Sequence, residues 1–332
     1  MKILVTGVAG QLGHDVMNEL AGRGLEGVGT DIAPAYAGAD DGTWVVHAPY
    51  VEMDITNSAV VDEVITKIKP DAVIHCAAWT AVDAAEDEDK QEKVRAINVD
   101  GTRNIANAAK KCGAKMMYIS TDYVFDGQGE TPWDPDFKGY APLNVYGRTK
   151  LEGELAVAET LDKFFIVRIA WVFGKNGKNY IKTMLDLGKR YDALRIVGDQ
   201  IGTPTYTFDL ARLLVDMIQT DKYGYYHATN AELPPASGAG DGAYTPEGTK
   251  TGYISWFDFS KEIFRQAAAL GHAEYAPENL KLTKVTTAEY GVSKAARPFN
   301  SRLDKSKLEK SGFKPLPDWR DAIARYLQEL GV

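Results

Sequence analysis

The sequence predicts an α/β protein with a doubly wound parallel sheet, and three observations support this fold class. Short apolar segments rich in Val, Ile and aromatic residues alternate with amphipathic segments of helix length over the first half of the chain. A glycine-rich stretch joins the first apolar segment to the first helical one, as it does in a Rossmann-type domain. The alternation weakens after about Gly174. We therefore expect a Rossmann-type domain over residues 1–174, to which later residues can add a strand or helix, and a smaller C-terminal lobe over residues 175–332.

The individual elements follow from the spacing of apolar residues. Five segments are typical of strands: KILVTG, GLEGVGTD, DAVIHCAA, AKMMYIST and FFIVRIAWVFG. Four segments have helical periodicity: Gln11 to Arg23, Ser58 to Lys69, about Asp89 to Lys111, and a segment that begins near Tyr146. The stretch from Ala231 to Gly252 is rich in Gly, Pro and Ala, and we predict that it is a surface excursion.

Composition and charge limit the kinds of partner. With 332 residues, of which 45% are hydrophobic and 25% charged, the chain has the composition of a soluble globular protein. The formal net charge of -8 argues against nucleic acid or a membrane surface as a partner, since both attract clustered Lys and Arg. Cys76 and Cys112 lack the spacing of a metal or redox site, the chain opens directly on MKILVTG, and no apolar run is long enough to span a bilayer. These features predict a cytoplasmic protein with reduced cysteines.

The first predicted strand leads into TGVAGQLG, which places Gly7, Gly10 and Gly13 three residues apart at the turn between strand and helix. The first two glycines let the turn close and the backbone approach a pyrophosphate, and the third lets the helix pack against the sheet. The N-terminus of the helix offers its free N–H groups to the phosphates. The alternative, a tight turn without a ligand, is disfavoured by this position after a first strand. The stretch therefore predicts a dinucleotide cofactor.

Asp31 ends the second predicted strand, at the distance from the glycines where an acidic side chain accepts hydrogen bonds from the adenosine ribose. A 2′-phosphate would meet the negative charge of Asp31, and the segment DIAPAYAG holds no Arg or Lys that could compensate for it. This favours NADH over NADPH. The alternative is an ordinary Asp in a turn at the end of a strand.

Two Tyr-x-x-x-Lys pairs occur in the chain, Tyr146 with Lys150 and Tyr290 with Lys294. Residues four apart share a helix face, so the spacing alone does not identify a catalytic pair. The first pair follows a predicted strand of the sheet that ends in a hydroxyl side chain, Thr121, and the second pair has no such strand before it. Ligands of open α/β sheets bind at the carboxyl ends of the strands. We therefore predict that Thr121, Tyr146 and Lys150 converge on one site.

The chemistry of these side chains suits a reaction at a carbonyl group. A phenol titrates at about pH 10 and becomes a useful acid at neutral pH when a neighbouring cation stabilises its phenolate. We predict that Lys150 is that cation and also holds the nicotinamide ribose, and that Thr121 polarises a ketone by donating a hydrogen bond. The alternative is an exposed Tyr and Lys on a solvated helix face.

The chain resembles the extended short-chain dehydrogenase/reductase family through three stretches taken together: TGVAGQLG, STDYVFDG and YGRTK. Further stretches are similar to the dTDP-4-dehydrorhamnose reductase branch, in register from Lys2 to about Leu330: HCAAWTAVDAAE, RIAWVFGKNGKNYIKTM, DQIGTPT and RPFNSRLDKSKL. The resemblance implies an oxidoreductase that reduces the C4 ketone of dTDP-4-dehydro-6-deoxy-L-mannose to dTDP-L-rhamnose, the last step of dTDP-rhamnose biosynthesis. It also implies that Tyr146 protonates the emerging alkoxide and that the C-terminal lobe binds the substrate.

The resemblance extends the predicted site to two sets of residues. The cofactor set is Gly7, Gly10, Gln11, Leu12, Gly13, Asp31, Ile32, Asp54, Ile55, Ala77, Ala78, Trp79, Thr80, Tyr146 and Lys150. The substrate set is Thr121, Asp122, Tyr123, Trp171, Asn179, Thr205 and Arg297. Trp171 resembles the Trp on which the family stacks its sugar, with a core Trp as the alternative. Asn179, Thr205 and Arg297 are candidates for the nucleotide end, because two phosphates in an acidic protein require local donors and cations. For Arg297 the alternative is a structural salt bridge.

Two departures from the family pattern limit these expectations. Some members form dimers through magnesium held by one carboxylate just after QLG and another just after G-x-P-T. Here Asp15 retains the first position, but Phe208 occupies the second. Magnesium requires oxygen ligands, so we expect no metal site and favour a monomer over a dimer. Members often use NADPH as well as NADH, so NADPH is the second expected cofactor.

Two alternatives share the fold. A non-catalytic regulatory subunit of the methionine adenosyltransferase type binds NADP without reacting, but the Thr, Tyr and Lys set that such a subunit loses is intact here. Other nucleotide-sugar epimerases, dehydratases or reductases share the glycine turn and the Tyr-x-x-x-Lys pair. A 4,6-dehydratase has an acidic pair directly after the Thr, whereas Thr121 is followed by Asp122 and Tyr123. The substrate implied by the resemblance is a dTDP-sugar.

Overall fold

The computed structural model describes residues 1–231, 253–291 and 293–332. The strands are β1 (Lys2–Thr6), β2 (Glu26–Asp31), β3 (Tyr50–Glu52), β4 (Ala72–His75), β5 (Lys115–Thr121), β6 (Phe164–Ile169), β7 (Val172–Phe173), β8 (Ala193–Val197), β9 (Ile201–Gly202), β10 (Thr205–Tyr206), β11 (Gly224–His227), β12 (Ile254–Ser255) and β13 (Lys281–Val285). The helices are α1 (Gln11–Gly22), α2 (Ser58–Ile68), α3 (Glu88–Arg95), α4 (Thr102–Cys112), α5 (Val145–Thr160), α6 (Tyr180–Arg190), α7 (Thr207–Ile218), α8 (Trp256–Ala269), α9 (Thr287–Tyr290), α10 (Ser306–Lys310) and α11 (Trp319–Leu330). A π-helical turn, Ala96–Gly101, joins α3 to α4.

Seven of these strands form one parallel sheet, in the order β3-β2-β1-β4-β5-β6-β11. The central strand β1 is paired on both sides, with Val5 opposite Gly29 of β2 and Ile74 of β4. The predicted Rossmann-type, doubly wound fold is confirmed. The direction in which successive strands are added reverses at β1, so a crevice for ligands lies between the carboxyl ends of β1 and β4.

Helices cover both faces of the sheet because both faces are apolar. On one face, α1 and α7 pack together through Val16, Leu20, Leu210 and Leu214. On the other face, α2, α4 and α5 meet in a second cluster that includes Val61, Ile65, Ile105, Ala109 and Val157. Each fully buried side chain of the Val, Leu or Ile type contributes about 1.5–3 kcal/mol to stability. Helix packing on both faces holds in place the strand ends at which the predicted site lies.

Each of the five predicted strands and four predicted helical segments is present near its expected position. Two strands of the sheet have no counterpart in the prediction. β3 consists of three residues at the edge of the sheet, too few for a periodic signal. β11 lies beyond residue 174 and extends the opposite edge, with its Tyr226 opposite Val167 of β6. With α7 and β11, the chain comes back to the seven-stranded sheet after residue 174.

The C-terminal part of the chain packs, together with β7, around an aromatic core. Three two-stranded sheets occur here: β7 with β10, β9 with β12 and β8 with β13. Four aromatic side chains of its core are at most 1% exposed: Phe173, Phe259, Trp319 and Tyr326. The predicted surface excursion begins at Ala231, which bridges to Asp318, and its residues 232–252 lie outside the described residues. Within the described ranges, no helix has the length and apolar character needed to cross a membrane.

Candidate active site

The glycine turn after β1 packs closely against the end of β4. Gly7 has a φ of +70°, and a Cβ atom on it would lie 2.7 Å from the backbone nitrogen of Ala77. A Cβ atom on Gly13 would lie 2.3 Å from the carbonyl oxygen of Gly7. The N-cap of α1 is Gly10, and the first helical turn holds no acidic side chain that would compete with an anion. The turn therefore fits the pyrophosphate of a dinucleotide.

Asp31 is fixed beside this turn. Its Oδ2 accepts a hydrogen bond from the N–H of Ala9 at 3.0 Å, and its Oδ1 accepts one from the N–H of Ile32 at 2.8 Å. Because both oxygens are held by the backbone, the carboxylate keeps its position when a ligand arrives. The Ile32 side chain is 66% exposed, which leaves an apolar surface next to the carboxylate. An adenosine with free ribose hydroxyls suits this arrangement.

The segment Ala77–Thr80 follows β4 and faces the same crevice as the glycine turn. The N–H of Ala77 donates to the hydroxyl of Thr6 at 3.2 Å. Trp79 is held through its backbone, since its N–H donates to Oδ1 of Asn98 at 2.8 Å and its carbonyl accepts from Nδ2 of the same residue. These hydrogen bonds hold the segment in place beside the predicted binding site of the cofactor.

Four further residues of the predicted cofactor set have mixed environments. Oδ1 of Asp54 accepts hydrogen bonds from the N–H and the hydroxyl of Thr56, so this carboxylate stabilises its own turn. Leu12 and Ile55 are 8% and 7% exposed and belong to the core. Oε1 of Gln11 accepts a hydrogen bond from the side chain that caps α6. Contacts between these residues and a cofactor stay a prediction.

The structure brings Thr121 and Tyr146 together. Thr121 ends β5, and Tyr146 is the second residue of α5, whose N-cap Asn144 accepts a hydrogen bond from the N–H of Gly147 at 2.8 Å. The side chain of Thr121 lies close enough to the phenol of Tyr146 to oppose the rise of the phenol's pKa. The ring of Tyr123 packs edge-on against that of Tyr146, with the centroids 5.6 Å apart. The two hydroxyls therefore share one place at the carboxyl end of the sheet.

Burial dominates the pKa values of Tyr146 and Lys150. It raises the pKa of Tyr146 above its ordinary value. The Nζ of Lys150 donates to the carbonyl of Ile119 at 2.7 Å and lies 4.1 Å from the centroid of the Tyr118 ring. Burial lowers the pKa of Lys150 to about 7. That Lys150 lowers the pKa of Tyr146 stays a prediction, and in this structure desolvation is the largest influence on the phenol.

Asp122 controls the proton of Thr121. The Thr121 hydroxyl donates to Oδ1 of Asp122 at 2.9 Å and accepts from the N–H of Tyr123 at 3.3 Å. Asp122 is 2% exposed, and burial raises its pKa to about 6, against the hydrogen bonds from Ser301 and Thr121. A hydroxyl has one proton to donate. The Thr121 hydroxyl must therefore rotate away from Asp122 before it can polarise a ketone.

A cleft of about 600 Å³ opens beside Tyr123, which is large enough for a nucleotide-sized ligand. Its lining combines an apolar wall with charged groups and includes Tyr180, Leu187, Trp256, Asp83, Arg195 and Arg297. Two residues of the predicted substrate set, Tyr123 and Arg297, belong to the lining. A capping box of Ser255 and Asp258 marks the start of α8 in the sequence and so locates Trp256 on a helix N-terminus. No sequence signal shows that its ring faces a cleft.

Trp171 stands behind Trp256. The two indoles stack with centroids 3.7 Å apart and planes inclined by 16°. Trp171 has a φ of +50°, a backbone conformation that is uncommon outside glycine. A Cβ atom on Gly202 would lie 2.8 Å from the Trp171 indole, so only glycine leaves room for it there. In this structure Trp256 lines the cleft, and Trp171, for which we predicted the contact with the sugar, supports it.

Two residues of the predicted substrate set are used inside the protein. Asn179 caps α6 with its Oδ1, and its Nδ2 donates to Gln11 and to two further oxygens. Thr205 is 0% exposed, and its hydroxyl donates to the carbonyl of Ala170 at 2.6 Å. Both side chains are thus buried and hydrogen bonded internally, and a contact of either with the nucleotide stays a prediction.

The second Tyr-x-x-x-Lys pair does not share a helix face. Tyr290 ends α9, a helix of four residues, and Gly291 follows it with a φ of +66°. Tyr290 is 42% exposed, and Lys294 forms an ion pair with Asp87. Tyr290 and Lys294 therefore do not form a joint site, although their spacing in the sequence equals that of Tyr146 and Lys150.

Asp15 and Phe208, the two positions compared above with a magnesium site, differ in character. Asp15 is 8% exposed, and burial raises its pKa to about 7. Phe208 is 44% exposed and offers no oxygen ligand. Across residues 1–231, 253–291 and 293–332, no group of three or more His, Cys, Asp or Glu side chains is placed to hold a metal ion.

Comparison with known proteins assigns this arrangement to a family. The family model described as the RmlD substrate binding domain matches residues 1–332. The chain belongs to the dTDP-4-dehydrorhamnose reductase family. A curated relative, the dTDP-4-dehydrorhamnose reductase of Escherichia coli (strain K12), is 37% identical, and the match covers 99% of this chain and 98% of the relative. The predicted family and the predicted class of enzyme, an NAD(P)H-dependent oxidoreductase, are confirmed.

Two solved structures of dTDP-4-dehydrorhamnose reductases have the same fold from end to end. The enzyme of Clostridium acetobutylicum is 36% identical with a TM-score of 0.81, and the match covers 100% of both chains. The enzyme of Bacillus anthracis, solved in complex with NADP, is 36% identical with a TM-score of 0.80 and covers 99% of this chain and 100% of its own. The dTDP-4-dehydrorhamnose reductase fold thus includes the C-terminal part of this chain as well as the sheet.

Proposed function

We propose that this chain reduces the C4 ketone of dTDP-4-dehydro-6-deoxy-L-mannose to dTDP-L-rhamnose, the last step of dTDP-rhamnose biosynthesis. The observation that supports this most is the position of Thr121 at the end of β5 close to Tyr146, whose ring packs against Tyr123 in the wall of a nucleotide-sized cleft. We infer that the nucleotide lies in this cleft and that the sugar ketone extends past Tyr123 to the two hydroxyls. The membership in a family of dTDP-sugar reductases agrees with this assignment.

The side chains have separate tasks in this reaction. The nicotinamide, when bound, supplies the hydride that is added to C4. Tyr146 donates its phenolic proton to the resulting O4 alkoxide, and its raised pKa keeps that proton on the phenol at neutral pH until it is needed. Thr121 polarises the ketone after its hydroxyl turns from Asp122. Lys150, one turn along α5, would hold the nicotinamide ribose. A proton from solvent then restores the phenol.

We infer that NADH is the preferred cofactor and that NADPH is also accepted. The fixed carboxylate of Asp31 supports the preference, because it accepts hydrogen bonds from ribose hydroxyls and repels a 2′-phosphate. The NADP complex of the Bacillus anthracis relative supports the second part, since the fold of this family admits a 2′-phosphate there.

We infer that the protein acts in the cytoplasm as a monomer and without a bridging magnesium ion. Phe208 supports this, because a phenyl ring cannot replace the second carboxylate of a shared metal site. The raised pKa of the buried Asp15 makes the remaining carboxylate a weaker metal ligand. Cys76 and Cys112, which are free thiols, suit a reducing compartment.

The test of this function follows the absorbance of NADH and of NADPH, separately, in the presence of the 4-keto sugar. This substrate is made in the same vessel from dTDP-glucose by a dehydratase and an epimerase. We expect cofactor oxidation with stoichiometric formation of dTDP-L-rhamnose, identified by chromatography. Cofactor binding without any oxidation points instead to a regulatory subunit, and turnover of a different nucleotide sugar points to another reductase or epimerase of the same fold.

Replacing Asp31 by Ser is expected to shift the choice of cofactor toward NADPH. The substitution removes the charge that repels a 2′-phosphate, while the Ser hydroxyl keeps one hydrogen bond to the turn. We expect the ratio of kcat/KM for NADPH to that for NADH to rise about 10- to 100-fold, or about 1.4–2.8 kcal/mol. Steady-state kinetics with the 4-keto sugar measure this ratio. Asp62→Ser removes a surface carboxylate that pairs with Lys111 and serves as the control. An unchanged ratio in Asp31→Ser would show that Asp31 does not select the cofactor.

A further inference from the structure

Arg297 lies in the wall of the cleft, next to the proposed site of reaction. Its Nη1 donates to the hydroxyl of Tyr123 at 3.2 Å, and the ring of Tyr123 packs against Tyr146. Its Nε donates to the hydroxyl of Ser293 at 3.1 Å. The Arg297 side chain is 24% exposed, so part of its guanidinium is open to the cleft. A planar guanidinium in this position is suited to phosphate oxygens.

In the structure, a carboxylate occupies the place on Arg297 that a phosphate would use. Oδ2 of Asp83 accepts a hydrogen bond from Nη2 of Arg297 at 2.6 Å. Oδ1 of Asp83 accepts from the N–H of Ala295 at 3.0 Å and from the hydroxyl of Ser293 at 3.4 Å. One oxygen thus anchors the chain segment before Arg297, and the other neutralises its charge. The Asp83 side chain is 49% exposed and is therefore free to exchange its partner with solvent or a ligand.

The ion pair between Asp83 and Arg297 determines the net charge that the cleft presents to a ligand. Among the described residues that line the cleft, the charged ones are Asp83, Arg195 and Arg297. The guanidinium of Arg195 donates to the backbone carbonyl of Glu289. This carbonyl is neutral and does not compensate the positive charge of Arg195. With Asp83 on Arg297, the cleft offers a single net positive charge to a ligand. The chain as a whole has a net charge of -8, so a diphosphate depends on these local cations.

We propose that Asp83 is an internal stand-in for the diphosphate of the nucleotide sugar: it holds Arg297 before the nucleotide sugar binds and gives up the guanidinium when the diphosphate arrives. This inference rests on the proposed function, which supplies the diphosphate ligand. Asp83 then sets the affinity for the nucleotide, because every binding event replaces one anion on Arg297 by another. A neutral nucleoside has no group that can make this exchange, so Asp83 has no effect on its affinity.

The test replaces Asp83 by Asn, which removes the negative charge and keeps the side-chain oxygen that accepts from Ala295 and Ser293. Isothermal titration calorimetry measures the binding of dTDP and of thymidine with saturating NADH present, so that dTDP cannot occupy the glycine turn. We expect the Kd for dTDP to fall about five- to tenfold at low ionic strength, as removal of a like charge a few ångströms away requires. The gain shrinks as salt is added, and the Kd for thymidine does not change.

Two further variants make the result specific. Asp87→Asn removes a carboxylate on the same loop that pairs with Lys294 outside the cleft lining, and we expect no change in the Kd for dTDP. Adding Arg297→Met to Asp83→Asn removes the cation itself, and the gain in affinity disappears. The thermal unfolding midpoint of each variant confirms that it is folded.

A Kd for dTDP that is unchanged or higher in Asp83→Asn would overturn the proposal. If Asp83 only anchors the segment before Arg297, its replacement leaves dTDP binding unchanged or weakens it. Equal gains for dTDP and thymidine, or an equal gain in Asp87→Asn, also exclude an exchange at Arg297. Failure of the unmodified protein to bind dTDP at all refutes the proposed substrate and this inference with it, whereas binding without a gain in Asp83→Asn refutes this inference alone.

Discussion

Replacing Tyr146 by Phe is expected to lower kcat for reduction of the 4-keto sugar by about a thousandfold. The substitution removes the proton that neutralises the O4 alkoxide, and general acid catalysis of this kind contributes about 10²–10⁴-fold to a rate. The ring and its edge-on contact with Tyr123 are retained, so the substrate site keeps its shape. Single-turnover kinetics with pre-bound cofactor measure the chemical step, and fluorescence titration checks that the Kd for the cofactor stays within about twofold of that of the unmodified protein.

The second Tyr-x-x-x-Lys pair supplies the matched control for this experiment. Tyr290→Phe makes the same change in the same sequence pattern. Tyr290 lines the proposed substrate cleft, so its replacement can alter KM, but it ends a four-residue helix and Lys294 is paired with Asp87, so it has no part in the chemical step. We expect kcat to change less than about threefold. A loss of activity in Tyr290→Phe comparable to that in Tyr146→Phe, or a Tyr146→Phe variant that keeps most of its kcat, would contradict the assignment of the acid.

Replacing Gly13 by Ala is expected to abolish cofactor binding and to destabilise the protein by about 2–4 kcal/mol. The new Cβ atom meets the carbonyl oxygen of Gly7 at 2.3 Å, and a backbone atom cannot move aside as a side chain can. Either α1 shifts away from the sheet or the turn opens, and both changes displace the N–H groups that receive the pyrophosphate. Urea denaturation measures the change in the free energy of unfolding, and NADH fluorescence measures the loss of binding.

Gly22→Ala, in the same helix, is the control for Gly13→Ala. No atom lies within 4 Å of a Cβ atom at Gly22, so the added methyl group meets open space. Alanine has a higher helix propensity than glycine, and we expect a small gain in stability of about 0.5–1 kcal/mol with unchanged NADH binding. A Gly13→Ala variant as stable as Gly22→Ala would show that the turn does not have the tight packing described above.

The sheet and the glycine turn are predictable from the sequence because their signals are local. The apolar runs of β1, β2, β4 and β5 are bounded by turn residues, and the glycines stand directly between a strand and a helix. Thr121 and Tyr146 follow from the same local signals, since one ends a strand and the other starts a helix. β3 is not predicted because it has only three residues, and β11 is not predicted because its sequence, GYYH, lacks the aliphatic run of a buried strand. The place of both in the sheet depends on neighbours distant in the sequence.

The charge states and the substrate wall depend on tertiary packing and could not be predicted. The pKa of Tyr146 rises because of burial, which no spacing of Tyr and Lys reveals. Trp171 and Trp256 are both aromatic residues in apolar segments, and only their stacking decides which of them faces the cleft. By its residue type, Asn179 can donate a hydrogen bond to a phosphate, but in the structure its side chain caps α6. Residue type indicates what a side chain can do, and its neighbours decide what it does.

During synthesis, the sheet stays open at one edge until the chain returns to it. β6 ends at Ile169, but its outer neighbour β11 starts at Gly224, and α7, which covers α1, comes between them. At ribosomal rates of about 5–20 residues per second, the apolar edge of β6 is unpaired for several seconds. Such an edge can pair with strands of other nascent chains. The seven-stranded sheet therefore cannot be completed as soon as the first 174 residues emerge, because its edge strand β11 is synthesised later.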